Sequence, residues 1–199
     1  AAAAYGGDKA IFGYGYSTGN VSLTNLVNNS GVVAADVTGV GSAREGLAAA
    51  AYGSTGQAIF GYGTISSVTN VTNLVSSSGV VASDVTGVGT ARGALAAASF
   101  GGDKVIFGYG NDSGAVSTTN LVSNTGVVAT DVSGVGTARI QLAAAGYGGD
   151  KALFGFGINS STYYSITNLV NNSGVVASDT TGVGTIRRSL GAAGFSSSA

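Results

Sequence analysis

The sequence predicts an all-β fold of four-stranded antiparallel blades, and three observations carry that expectation. The stretch LAAAAYGSTGQAIFGYG (Leu47–Gly63) returns at Leu95–Gly110 and Leu142–Gly157, and part of it stands at Ala1–Gly15. The shared phenylalanines Phe12, Phe60, Phe107 and Phe154 are spaced by 48, 47 and 47 residues. Each period holds four short runs of strand composition, divided by Gly, Ser and Asn. Four short strands in a period of about 40–50 residues mark a propeller blade.

The second copy serves to describe the strands, named A to D. Strand A is the alanine run Leu47–Tyr52. Ala also suits a helix, but flanking Gly and the short turn that follows favour a strand. In a propeller the innermost strands crowd the axis, and Ala lets backbones approach there. Strand B, Ala58–Gly63, ends on glycine–aromatic–glycine, and strand C is Ser67–Val75. Strand D is Gly79–Val88, joined to C by SSSG, which is hairpin chemistry. Val and Thr dominate C and D, as half-buried strands require.

The 199 residues divide into repeats 1–46, 47–94, 95–141 and 142–189, followed by a surplus copy of strand A at 190–199. Five A strands against four of each other kind leave three arrangements open: a four-bladed ring with one terminal A strand surplus, a larger ring of further repeats, or a ring completed by a second copy. With no initiator Met and no signal peptide, the residues read as a processed chain or a slice of a longer one.

Composition narrows the function. Charged residues are 9% and the net charge is −1. That lacks the Lys/Arg footprint of nucleic-acid binding. No apolar run reaches the roughly 18–20 residues of a membrane-spanning helix. Cys, His, Met, Trp and Pro are absent, so the usual zinc, copper and haem ligands are missing and no cofactor or metal is expected. Without His, no Ser–His–Asp triad forms. GVGTAR is not a phosphate loop, since no Lys follows the second Gly and the segment recurs in each repeat. Of the acids, only Glu45 and Asp112 break the repeat pattern, and they lie in different repeats, which argues against a paired-carboxylate site. The chain is expected not to be an enzyme, and a hydrolase using Glu45 and Asp112 is the least favoured reading.

Of the 17 charged residues, 14 follow the repeat. Asp36/Arg44, Asp84/Arg92, Asp131/Arg139 and Asp179/Arg187 each stand eight apart, and Asp8–Lys9, Asp103–Lys104 and Asp150–Lys151 recur in the A–B turn. A charge copied into every blade reads as structural, either an Asp–Arg pair or an Arg bonded to nearby carbonyls at the D–A corner. The alternative is that Arg44, Arg92, Arg139 and Arg187 ring a channel mouth and bind an anion. The B–C loops differ most between copies: Tyr16–Asn20, Thr64–Ser67, Asn111–Ala115 and Ile158–Tyr164. Tyr16, Asn111, Asp112, Tyr163 and Tyr164 are therefore the remaining candidate binding residues. Tyr among Asn and Ser is a common recipe for recognition, including of carbohydrate.

The arginine, the small-residue strand and the glycine-ended strand together resemble the kelch repeat. The positions are Arg44, Arg92, Arg139 and Arg187, then Gly13–Gly15, Gly61–Gly63, Gly108–Gly110 and Gly155–Gly157. The array departs from that family in splitting the glycine pair with Tyr or Phe and in lacking the later Trp. It is closer in flavour to the glycine-rich propeller repeats of phage tail fibres and bacterial surface proteins. The resemblance implies a non-enzymatic propeller outside the cell or on a virion. Its expected partners are a host-surface glycan or protein receptor, and other copies or further repeats of itself. The other expectation is a structural filament or shell protein joined through unpaired strand edges.

Overall fold

The computed structural model describes residues 1–194, which form strands and loops with no helix. The first sheet is β1 (Ala2–Tyr5), β2 (Lys9–Tyr16) and β3 (Asn20–Val27). The second is β4 (Ala48–Tyr52), β5 (Gln57–Gly61) and β6 (Thr72–Val75), and the third is β7 (Ala96–Phe100), β8 (Lys104–Asn111) and β9 (Ala115–Val122). In the fourth repeat, β10 (Ala143–Tyr147), β11 (Lys151–Gly155) and β14 (Thr167–Val170) form the sheet, while β12 (Ile158–Asn159) and β13 (Thr162–Tyr163) form a small hairpin of their own. All pairings are antiparallel, in the order A–B–C.

Strand A is a strand in every repeat, and its alternation is visible in the second and third copies. Ala48, Ala50 and Tyr52 are buried while Ala49 and Ala51 are half-buried. The A–B turn takes positive φ at Gly6 and Gly7, 60° and 83°, a conformation that a Cβ resists. Strand C of the second repeat is shorter than expected. Its ladder starts at Thr72, and the residues before it make one isolated bridge, Thr64↔Val68.

Strand D is the main departure. It forms no continuous strand in any repeat and touches C through two isolated bridges, Val75↔Val81 and Thr72↔Val85 in the second copy. The physical reason is a side chain lodged in the ladder. Asn73 donates from Nδ2 to Ala82 O at 3.0 Å and to Asp84 Oδ1 at 2.9 Å. The amide thus replaces the backbone donor, and the register slips by one residue between the two bridges. Of the expected fifth A strand at 190–199, residues 190–194 are irregular, and 195–199 lie outside the described residues.

The sheets stack face to face in chain order through three apolar clusters. At each joint, a B-strand Phe lies on the B-strand Gly of the sheet before it. A methyl group added at Gly61 would stand 2.7 Å from Phe107 Cζ, and one at Gly13 would stand 2.8 Å from Phe60 Cζ. Phe60, Phe107 and Phe154 are 0% exposed, whereas Phe12, on the outer face of the first sheet, is 50% exposed. Among the described residues the first and last sheets share no apolar cluster, and no closed ring forms.

Candidate functional site

The most elaborate polar site is the joint between repeats, built three times. It begins with the aromatic between the two glycines of strand B. Tyr14, Tyr62 and Tyr109 hold φ of 60°, 63° and 64°. A side chain in that region costs on the order of 1–3 kcal/mol and persists only where the surroundings enforce it. Here they do. The backbone shifts register at Gly13/Gly15 and Gly108/Gly110, which turns the ring into the joint. Each hydroxyl donates to a valine carbonyl, Tyr62 to Val88 O at 3.1 Å and Tyr109 to Val135 O at 3.1 Å. Each ring meets the edge of the next repeat's Phe at 5.0–5.2 Å between centroids.

An arginine lies on the other face of each tyrosine. The guanidinium carbon is 4.2 Å from the ring centre for Arg44 on Tyr14, 4.3 Å for Arg92 on Tyr62 and 4.6 Å for Arg139 on Tyr109. Arg92 donates from Nε to Tyr109 O at 2.9 Å, from Nη1 to Thr90 O at 3.0 Å and from Nη2 to Asn120 Oδ1 at 2.7 Å. Arg44 repeats this with Tyr62 O, Ser42 O and Asn73 Oδ1. Arg139 reaches Thr137 O and Asn168 Oδ1, but its Nε has no acceptor at the last sheet. The planar fork of arginine fits three fixed acceptors, which a lysine would not.

These contacts correct two expectations. The arginines do not ring a channel mouth. Arg44, Arg92 and Arg139 are 0% exposed, and apart from the buried Arg139 Nε their guanidinium groups are turned onto protein acceptors. Arg187 is the exposed exception. Of the two structural readings, the arginine bonded to nearby carbonyls is the one these contacts bear out, and the arginine does not pair with the aspartate eight residues before it. It works with the aspartate of the following repeat, and the Arg139–Asp179 pair is 3.7 Å apart. The linear spacing marks the same station on successive sheets, not a contact.

Asp84, Asp131 and Asp179 in turn cap the preceding repeat. Asp131 accepts from Thr90 N, from Thr90 Oγ1 at 2.6 Å and from Asn120 Nδ2 at 2.8 Å. Burial would raise the carboxyls of Asp84, Asp131 and Asp179. Hydrogen bonds from the Ser or Thr and the Asn, together with the nearby guanidinium, outweigh it and hold them below the ordinary carboxylate value. Burial pushes the Tyr62 and Tyr109 hydroxyls up to about 12, against the opposing charge of Arg92 and Arg139. The site therefore holds a charged Arg, an ionised Asp and a protonated Tyr locked together. Such a set is suited to fastening sheets and not to exchanging protons at neutral pH.

Asn25, Asn73, Asn120 and Asn168 are the residues that sequence reasoning missed. The signal was present in the recurring TNLV, in which an amide stands at a position otherwise expected to be apolar and buried. Asn73, Asn120 and Asn168 are 0% exposed, and a buried amide implies a set of partners.

The variable loops stand at the end of the sheets where the D–A connections also lie, tied by bridges Glu45↔Thr64, Gly93↔Asn111 and Ile140↔Ile158. Tyr16 is 65% exposed and Tyr163 39%. Tyr164 and Asp112 are half-buried, and Asn111 is exposed. Tyr163 and Tyr164 are near one another, with Arg188 stacked 5.7 Å from the Tyr163 ring and donating to Gln141 Oε1. Tyr16 is not brought to them: it stands on the first sheet, with two sheets between. Asn111 and Asp112 belong to the third sheet, where Asp112 N donates to Gly114 O to close the loop.

Two kinds of concavity lie away from these loops. A depression of 340 Å³ at the A–B turns of the last two sheets is bordered by Phe100, Tyr147 and Lys151. Grooves of 180–220 Å³ recur between neighbouring repeats at the D segments, one of them lined by Leu74, Val85, Val88 and Val127. Among the described residues no three acidic side chains gather as a metal site. No protein-family model matches the chain, and comparison of its sequence with curated proteins finds no match.

Proposed function

We propose that the chain is a non-enzymatic structural and binding module, a run of kelch-like propeller blades displayed outside the cell or on a virion. In this reading the repeats are scaffold and the B–C loops are the recognition surface, toward a host glycan or protein receptor as in tail-fibre-like proteins. One contrast carries the reading. The arginines Arg44, Arg92 and Arg139 are consumed in joints, while sequence variation and the exposed rings of Tyr16 and Tyr163 collect in the loops at one end of the sheets. Exposed Tyr16 and Tyr163 supply rigid area at little entropic cost.

The test is binding of the 199-residue chain to a glycan array and to intact cells of candidate hosts. Tyr16→Ala and Tyr163→Ala should each weaken capture, and changes in the A–B turns such as Lys9→Ala should not. Capture that is insensitive to both tyrosines, or no capture on any surface, defeats the receptor assignment and leaves a scaffold.

A further inference from the structure

Each internal joint is made from two unlike faces. One contributes the B-strand glycine, the arginine and a Ser or Thr hydroxyl. The other contributes the Phe, the Asn and the Asp. The described stack ends on one face of each kind.

On the first sheet, Phe12 is half exposed. Asn25 donates to Ala34 O at 3.1 Å and to Asp36 Oδ1 at 2.8 Å, as its internal counterparts do. Its Oδ1, which in the joints receives an arginine, has no donor among the described residues, and Asp36 is exposed. On the fourth sheet, no ring covers Gly155: the nearest groups to an added methyl would be Thr167 Cγ2 at 3.2 Å and Leu153 Cδ1 at 3.7 Å. Arg187 already holds the posture of the joints. It lies 4.1 Å over Phe156 and donates from Nη1 to Thr185 O at 3.0 Å, matching Arg44 over Tyr14 and its bond to Ser42 O. Its Nε and Nη2 have no acceptor among the described residues.

From this we infer that a second copy of the chain stacks head to tail on the first. Phe12 of one copy seats on Gly155 of the other, Arg187 reaches Asn25, and Thr185 caps Asp36. The occupant is a second copy because the two faces match station by station in the manner of the three joints already built. The contact is heterologous, so it closes a ring or extends a fibre according to the rotation per repeat. It concerns the ends of the stack and does not depend on what the loops recognise. Residues 190–194 lie on the same end. A methyl at Gly194 would stand 2.8 Å from Gly146 O of β10, in the place that the incoming β1 would take. They compete with the second copy and weaken its docking.

Sedimentation velocity over a concentration series tests this, on the full chain and on a chain ending at Ser189. The expected result is a mass that rises with concentration, more steeply for the shortened chain. Phe12→Ala and Arg187→Ala are surface changes that should leave circular dichroism unaltered. Each should weaken association about tenfold or more, as the loss of an anchor does. Each variant keeps the face that the other has lost, so an equimolar mixture should form a dimer and stop there. Monomers throughout for both full and shortened chains would overturn the inference. So would variants that associate like the parent, or a mixture that stays monomeric where the parent associates.

Discussion

Replacing the same asparagine at two stations separates a joint from a turn. Asn120 is fully buried, accepts from Arg92 Nη2 at 2.7 Å, and donates to Ala129 O at 3.1 Å and Asp131 Oδ1 at 2.8 Å. Asn120→Ala strands a buried charged donor, worth about 1.5–3 kcal/mol, and removes two further bonds worth about 1 kcal/mol each. Water reaches the Asp131 carboxylate and recovers part of its loss, so the net cost is about 3–4 kcal/mol. Asn25 makes the same two donor bonds in a solvent-reached setting and lacks the arginine. Asn25→Ala should therefore cost about 1 kcal/mol or less. Urea unfolding, followed by circular dichroism at a dilution where the chain is monomeric, reads the difference. With a slope of about 2 kcal/mol per M, the midpoint falls by about 1.5–2 M for Asn120→Ala and by about 0.5 M or less for Asn25→Ala. Equal shifts would refute the joint, because they would mean that the amide matters only to its own C–D hairpin.

Three other outcomes are expected. Gly61→Ala drives a methyl to 2.7 Å from Phe107 Cζ and should cost about 1–3 kcal/mol by overpacking. Gly155→Ala, with no ring above it, should cost clearly less, and the same urea unfolding reads both. In acid, Asp84, Asp131 and Asp179 have depressed carboxyls. Their stabilisation is present above the unfolded value of about 4 and is lost as pH falls through the folded value. The melting temperature should drop below about pH 4, and less steeply for Asp131→Asn; an unchanged acid limb in that variant contradicts the cap. In alkali, Tyr62 and Tyr109 are raised to about 12. Their contribution is complete below the unfolded value of about 10 and disappears as pH climbs through the folded value. A phenolate absorbance titration should show late tyrosines, with Tyr62 and Tyr109 among them, ionising together with loss of the fold, and Tyr62→Phe should reduce that late amplitude by one tyrosine.

Much of the architecture was legible because repetition amplifies weak signals. A single run such as AAAAY is ambiguous between helix and strand. Recurring beside AIFGYG and followed by a short glycine turn, it reads as one hairpin arm, and Ala48–Tyr52 pairs with Gln57–Gly61 accordingly. The B–C loops were legible as variable segments for the same reason. Strand D misled because its Val and Thr content satisfies strand propensity, while what breaks its ladder is an amide on a different strand. The function of Asn73 was hidden by its position: nothing in TNLV shows that the amide meets an arginine 29 residues earlier.

The sequence alone determined the period, the all-β character and the location of variation, because composition and spacing repeat along one dimension. It also determined which residue types each repeat places at each station. Only the tertiary structure decided which stations touch. Stacking displaces one repeat against the next, so Arg44 belongs with Asp84 and Asn73 and not with Asp36, although Asp36 is nearer in the chain. The same displacement buries three arginines and leaves Arg187 exposed at the end of the row, with Phe12 exposed at the other. A charge is fixed or free here according to whether a further repeat stands against it, and packing between sheets settles that, since the repeat itself is the same in each case.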